Sequence, residues 1–342
     1  MFSGRSRLLV LPVLLVLILT LAVSCGGEEE GAPAVVTVLL SPSPNANHAG
    51  VYLAQQKGYF TEESLTVNIE LSTDAEAAMR AVGTGTKDFA IGSLVVMLKL
   101  RGEKVPVMAI AAITQLPLHA IVALESAGVA EPHDLNGMRV GYPGTARSEK
   151  LLNTMLISDG LNGVQDLELV RFEVGLTEAM LGGNVDAILS DDWPHAQAAS
   201  ENRGQSVSVL EFKGRALPEH YEHVLVTNEK NFNDREDMTR RFTRAIRRGY
   251  EDALANPQSG VDALLVGTTG SVDEDLERAA IELLAPLWEP FRPVRGARVP
   301  LIGDQDAEVY QALIRWMRAN QLVGSEVHYT KSYHNKFSEI EE

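Results

Sequence analysis

Cysteine is almost absent from this chain. Cys25 is the only one among 342 residues, so no disulfide can form within the chain. Positive charge is scarce as well: 30 Lys and Arg stand against 46 Asp and Glu, a formal net charge of −16. Such a surface repels phosphate backbones, and no basic stripe interleaved with aromatics relieves it, which excludes nucleic acid as a partner. The same acidity argues against a polyanionic solute unless a local pocket overrides the global field. No Gly-rich phosphate loop is present, and no other cofactor motif. Long apolar runs are missing from the body. The one such run, residues 8–21, is shorter than the ~20 residues that cross a bilayer, and Pro12 interrupts it. What is there is ordinary for a soluble globular protein, 45% hydrophobic and 22% charged. About 310 residues follow the N-terminal segment, more than one core usually serves, so two lobes are expected.

Arg5 and Arg7 precede the apolar run, which gives way to Ala22, Val23, Ser24 and Cys25 and then to Gly26, Gly27 and three glutamates. A positive start, an apolar middle and a small-residue end describe a removable export signal over residues 1–24. The position of Cys25 resembles the lipobox of bacterial lipoproteins. That resemblance implies a diacylglyceryl group on the thiol and an acylated amine, several chains where one would bind only marginally. The mature chain is then expected to sit on the extracytoplasmic face of the cell membrane, anchored without spanning; a plain secreted protein or an uncleaved anchor is the alternative. Residues 25–34 are too polar to bury themselves and read as a flexible tether.

The body alternates strand and helix. The β-branched run 35–40 ends at Ser41-Pro42-Ser43-Pro44-Asn45, a helix from His48 stops at Gly58, and strands are expected at 65–71 and 89–91 around an Ala-rich helix over 74–82. This order implies a parallel sheet with a ligand crevice at the carboxyl ends of its strands. The same grammar recurs with strands at 138–142 and 167–172 and helices at 147–158 and 176–181. Lys87-Asp88-Phe89-Ala90-Ile91 is echoed by Val185-Asp186-Ala187-Ile188-Leu189, each delivering polar residues to a strand end: Ser93 in one, Ser190-Asp191-Asp192 in the other. The strand-like runs 119–123 and 223–227 flank the second unit as crossovers. An inserted second lobe over 121–225, inside a first lobe of 35–120 and 226–342, is the expectation. Helices are expected over 234–255, 273–287 and 304–321.

Asn47-His48-Ala49-Gly50-Val51-Tyr52-Leu53-Ala54 with Lys57-Gly58-Tyr59-Phe60, then Asp88-Phe89-Ala90-Ile91-Gly92, the run 134–141 and Gly249-Tyr250-Glu251-Asp252-Ala253-Leu254 resemble, in order, the solute-binding proteins for sulfonates, nitrate, thiamine pyrimidines and riboflavin. Tyr142-Pro143-Gly144-Thr145 is more similar to the thiamine-pyrimidine and riboflavin binders. The resemblance implies an α/β fold of the two-lobed type II periplasmic-binding kind with two crossover strands. It also implies hinge closure on a small molecule, and an ABC permease with an ATPase subunit as partners.

Asn47 and His48 follow the first strand and open the first helix, where free amides and a positive dipole end welcome acceptors, although Asn47 could simply cap the helix. At the corresponding turn of the second lobe Thr145 is the candidate contact, and Gly144 serves the turn. Trp193 either stacks on a flat ring, with Tyr142 as a second face, or packs in the core. In thiamine-pyrimidine binders the resemblance implies an acidic residue shortly after this aromatic; here His195, Ala196 and Gln197 follow. An amide such as Gln197 or Asn47 both donates and accepts, which suits a flavin imide and favours riboflavin as the vitamin, with a thiamine-pyrimidine precursor second and a sulfonate third. Ser93 and Asp191 complete the expected contacts. His220 and His223 form a metal pair only on a helix, which Pro218 opposes. No nucleophile with its base is visible, and the cysteine-rich motif of thiamine-pyrimidine synthases is missing, so a binding protein is expected, with an enzyme acting on a pyrimidine as the alternative class.

Overall fold

Side chains of β1 (Ala34–Leu40) alternate between two faces, both buried from Val38 onward, and this organises the first half of the chain. A computed structural model describes residues 32–212, 214, 217–290 and 301–337. Cys25, the apolar run before it and the tether up to residue 31 lie outside the described residues. After β1 come α1 (Ala49–Gln56), α2 (Tyr59–Glu62), β2 (Leu65–Leu71), α3 (Ala75–Gly83), β3 (Phe89–Ser93), α4 (Leu94–Gly102) and β4 (Val107–Ala112). A second set follows: β5 (Ala120–Leu124), β6 (Arg139–Tyr142), α5 (Ala146–Ser158), β7 (Glu168–Arg171), α6 (Leu176–Leu181), β8 (Ala187–Ser190), α7 (Trp193–Glu201) and β9 (Val207–Glu211). The chain then returns through β10 (His223–Asn228) to α8 (Glu229–Asp234), α9 (Glu236–Ala255), α10 (Pro257–Gly267), α11 (Glu274–Leu284) and α12 (Ala307–Ala319).

Two five-stranded sheets result, ordered β2-β1-β3-β10-β4 and β7-β6-β8-β5-β9, within one compact unit. The sheets are mixed rather than parallel as the sequence implies. β10 runs antiparallel to β3 and β4, and β5 runs antiparallel to β8 and β9. The chain thus leaves the first sheet after Ala112, re-enters it at His223, and completes the second sheet in between. Val36, Val38, Leu40, Phe89, Ile91 and Leu225 face α1, α9, α10 and α11, while Leu39, Ala90, Val224 and Val226 face α3, α4 and α12. A strand buried on both faces reads as a continuous apolar run, which is how the sequence located it.

Local chemistry sets the boundaries. Asp74 caps α3 by accepting from Ala77 N at 2.7 Å, and Gly58, with φ +78°, turns the chain out of α1. The helix expected over 234–255 is α9, which starts at Glu236 because Arg235 takes φ −126°, ψ 43° and sends its guanidinium to Asp88 Oδ1 at 2.6 Å. Trp193, read from sequence as a strand-end residue, opens α7, with Pro194 in the first turn where its missing N–H costs nothing. No helix among the described residues is long and apolar enough to cross a membrane.

α1 and α9 approach so closely that a Cβ on Gly249 would lie 2.1 Å from Gly50 O. Gly249→Ala is therefore expected to destabilise the protein by about 1–3 kcal/mol, at the upper end because the obstacle is backbone. The urea midpoint measures this, and an unchanged midpoint would contradict the close crossing.

Candidate ligand-binding cleft

The turn between β1 and α1 is built by Asn45, whose side chain accepts from Asn47 N at 3.1 Å while its own N–H donates to His48 Nδ1 at 3.2 Å. His48 Nδ1 therefore carries no proton. Burial pushes this imidazole down to about 3, and the neighbouring His223 and His195 push the same way. Tyr250 Oη on α9 donates to Asn47 O at 2.7 Å and fixes the turn from behind.

Asn47, 4% exposed, reaches across to the second lobe, where its Nδ2 donates to Asp192 Oδ2 at 2.8 Å. The carboxylate settles which end of the amide points inward, since only the NH₂ can donate. Asp192 lies just after β8, its N–H on Ser190 Oγ at 3.1 Å. His195 Nδ1 stands 3.0 Å from Asp192 Oδ2 as an ion pair, and its Nε2 bonds Glu277 Oε2 of α11 at 3.0 Å. Burial opposes charge on His195, but Asp192 and Glu277 outweigh it and raise the imidazole to about 10. Burial likewise opposes ionisation of Asp192, yet His195 and Asn47 hold its carboxyl below the ordinary range. Asn47 Oδ1, Asp192 Oδ1 and His195 Nδ1 are buried here without an aligned hydrogen-bond partner among the described residues, the last held to Asp192 as an ion pair.

A second cluster centres on Glu222 in the returning crossover. Its carboxylate meets Ser93 Oγ at 3.3 Å, Leu118 N at 3.3 Å, His119 Nδ1 at 3.1 Å and Arg147 Nη2 at 3.7 Å. His119 Nε2 lies 3.2 Å from Asp191 Oδ1. Burial favours the neutral acid, but His119 and Arg147 prevail and hold Glu222 well below its usual range. Burial and Arg147 oppose charge on His119, and Glu222 with Asp191 raises it nonetheless.

Asn47, His48, Ser93 and Asp191 thus come together with partners the sequence did not single out: Asp192, His195, Glu277, His119, Arg147 and Glu222. Tyr142, Thr145 and Gln197 direct their polar atoms elsewhere. Tyr142 Oη donates to Glu149 at 3.0 Å, Thr145 caps α5 through Ser148 N at 3.1 Å, and Gln197 Nε2 donates to Glu201 at 2.8 Å. Gly144 has φ +75°, with the Arg171 side chain packed where a Cβ would stand. Trp193 packs on the cluster of Val122, Ile188 and Met180, its Nε1 buried without a partner among the described residues. His220 donates from Nδ1 to Pro218 O at 2.9 Å, and His223 Nδ1 pairs with Thr114 Oγ1 at 3.1 Å, so the two rings serve different partners. Pro194 was the available signal for the missed residues: a helix starting there puts His195 in its first turn, folded back over Asp192.

A cleft of about 570 Å³ opens onto this cluster, lined by Pro44, Asn45 and Leu71, by Asp192 and His195, and by Asp273 and Glu277. Its size suits a small molecule. Pro44, Leu71 and Ser271 also border a cavity of about 490 Å³ beside Tyr52 and Asn68. None of the unpartnered buried atoms belongs to a residue lining that second cavity. The cleft at Asp192 is therefore the stronger candidate.

Two mixed α/β lobes joined by two crossovers, with polar side chains meeting between them, define the two-lobed fold of the periplasmic-binding proteins. The periplasmic aliphatic sulphonate binding protein SsuA from Escherichia coli shares that fold with a TM-score of 0.65 at 15% identity, over 90% of this chain and all of that one. The chain belongs to the family described as NMT1/THI5 like, which matches residues 45–260. The formylaminopyrimidine-binding protein of Halalkalibacterium halodurans is 29% identical over 294 residues, 86% of this chain and 87% of the relative. The riboflavin-binding protein RibY of Chloroflexus aurantiacus is 24% identical over 358 residues, 97% and 98% of the two chains.

Proposed function

We propose that this chain is the solute-binding component of an ABC importer, held on the extracytoplasmic face by an acylated Cys25, and that its solute is an aminopyrimidine of the thiamine-precursor class. The observation that carries the ligand is the pair of buried acceptors, Asn47 Oδ1 and Asp192 Oδ1, left without donors beside an ionised carboxylate. An amino group on a heteroaromatic ring presents two N–H donors to such a pair. A flavin imide offers one N–H between two carbonyls, whose oxygens would face acceptors. The sequence argument for riboflavin leaned on Gln197 and Asn47; the first is committed to Glu201, and the second turns its donor to Asp192. A sulfonate would meet Asp192, Asp273 and Glu277, with only one of these charges offset by His195. The name of the Halalkalibacterium halodurans relative supports the same choice.

Calorimetric titration with 4-amino-5-hydroxymethyl-2-methylpyrimidine, its formylamino counterpart, riboflavin and an alkanesulfonate tests this. The aminopyrimidines are expected to bind most tightly, and at 100 times its Kd the solute should stabilise the protein by about 2.7 kcal/mol. Tighter binding of riboflavin would overturn the ligand, and turnover of any of them would replace the binding role with an enzymatic one. Cys25→Ser is expected to shift the chain from the membrane fraction to the soluble one with solute affinity unchanged. Retention in the membrane fraction with residues 1–24 removed would count against the anchor.

A further inference from the structure

The Asn47–Asp192 contact is one side of a closed circuit between the lobes. Asp192 Oδ2 receives Asn47 Nδ2 at 2.8 Å and faces His195 Nδ1 at 3.0 Å. His195 Nε2 reaches Glu277 Oε2 at 3.0 Å, and the same oxygen accepts Ala46 N at 2.6 Å, one residue before Asn47. Two members stand on the second lobe, just after β8 and in the first turn of α7, and the others on the β1–α1 turn and α11. Glu277 is 4% exposed and the His195 side chain 14%, so this is an enclosed circuit rather than a solvated surface pair. α7 itself packs along α11, and Ala198 joins the first lobe's core.

From this geometry we infer that His195 is the positioning residue of the cleft: bridging Asp192 to Glu277, it sets the approach of the two lobes and holds Asp192 with Oδ1 turned to the solute. The second half of that statement rests on the aminopyrimidine reading; the first does not. The chemistry demands a charged ring. A neutral imidazole has one N–H, and its other nitrogen would set a lone pair against a carboxylate. The two carboxylates raise His195 to about 10 against the effect of burial, while burial keeps the neighbouring His48, on the turn before α1, at about 3 and lowers His223 on β10. One cation therefore serves two anions from two lobes, and Asn47 supplies the remaining donor.

Because the pKa is raised in the bridged state, the bridge is at full strength below the ordinary histidine value of about 6.5 and is lost as pH rises through about 10. Small-angle scattering of the full chain carrying Cys25→Ser, without added solute, reads the separation of the lobes. The radius of gyration should be larger at about pH 10.5 than at about pH 7. In His195→Gln and in Glu277→Gln it should already be larger at neutral pH and no longer respond to that interval. A chemically induced change in Lys or Tyr charge would act on all three proteins alike. Affinity of His195→Gln for 4-amino-5-hydroxymethyl-2-methylpyrimidine should fall about tenfold or more. Thermal melts establish that each variant is folded, and if His195→Gln fails to fold, Glu277→Gln decides. Equal radii across all proteins and both pH values overturn the inference. Radii that change as expected with affinity unmoved keep the strut and overturn the role of Asp192 as the solute's acceptor.

Discussion

Alanine in place of Asp192 is expected to remove solute binding almost completely. Truncating one partner of a buried, hydrogen-bonded charge pair typically costs 2–5 kcal/mol, which corresponds to an affinity loss of roughly 30-fold to several thousand-fold. The loss has two sources here. Oδ1 disappears as an acceptor, and Asn47 Nδ2 loses its only side-chain partner, so the amide is free to rotate. Asp192→Asn separates the two: it keeps the shape and one oxygen but removes the charge that pairs with His195, so its loss should be smaller yet clear. Calorimetry with the aminopyrimidine measures both. An Asp192→Ala protein that stays folded and binds within about threefold of wild type would exclude this carboxylate from the site.

Glu222→Ala is expected to be the most destabilising single change in the cleft. The carboxylate joins three parts of the fold: Ser93 at the end of β3, Leu118 and His119 on the outgoing crossover, and Arg147 on α5. Removing it leaves the Arg147 guanidinium without this anion and the buried His119 with Asp191 alone, a loss of about 3–5 kcal/mol. The urea midpoint should fall accordingly, and Glu222→Gln, which keeps most hydrogen bonds, should lie between the two. The pH dependence has a definite sign on each side. Glu222 is depressed in the fold, so its contribution is present above the ordinary carboxylate value of about 4.3 and fades as pH drops through the folded value. His119 is raised, so its contribution is full below about 6.5 and fades as pH climbs past the folded value. A stability profile that stays flat both as pH falls below about 4.3 and as it rises above about 6.5 would contradict the network.

The strands were legible because their burial is written in local pattern. Within the runs 35–40 and 223–227, residues 38–40 and 224–227 are buried on both faces, which suits an interior strand. Their direction was not legible: β5 and β10 lie antiparallel because of how the two crossovers enter the sheets, a property of chain path rather than of any window. The site divides in the same way. Asn47, His48, Ser93 and Asp191 follow strand ends, where ligand contacts gather, and could be named from position. Asp192 follows the same strand end as Asp191, but its pairing could not be read, nor the roles of His195 and Glu277, because each finds its partner far off in sequence; 145 residues separate Asn47 from Asp192, and 82 separate His195 from Glu277. Gln197 and Thr145 turn to local partners for the opposite reason. Their helices offer a partner within one turn, and a local hydrogen bond wins over a distant one.

Among the described residues β10 is the last strand to leave the ribosome, yet it lies inside the first sheet between β3 and β4. Until residue 228 has been delivered, those two neighbours must hold open a slot about 10 Å wide, two strand spacings, or stay apart. A chain threaded N-terminus first through a narrow pore would in that interval have every strand of its second sheet but an unfinished first one, with two unpaired edges exposed to other chains. The order in which the strands appear therefore postpones completion of the first sheet until the second has been delivered.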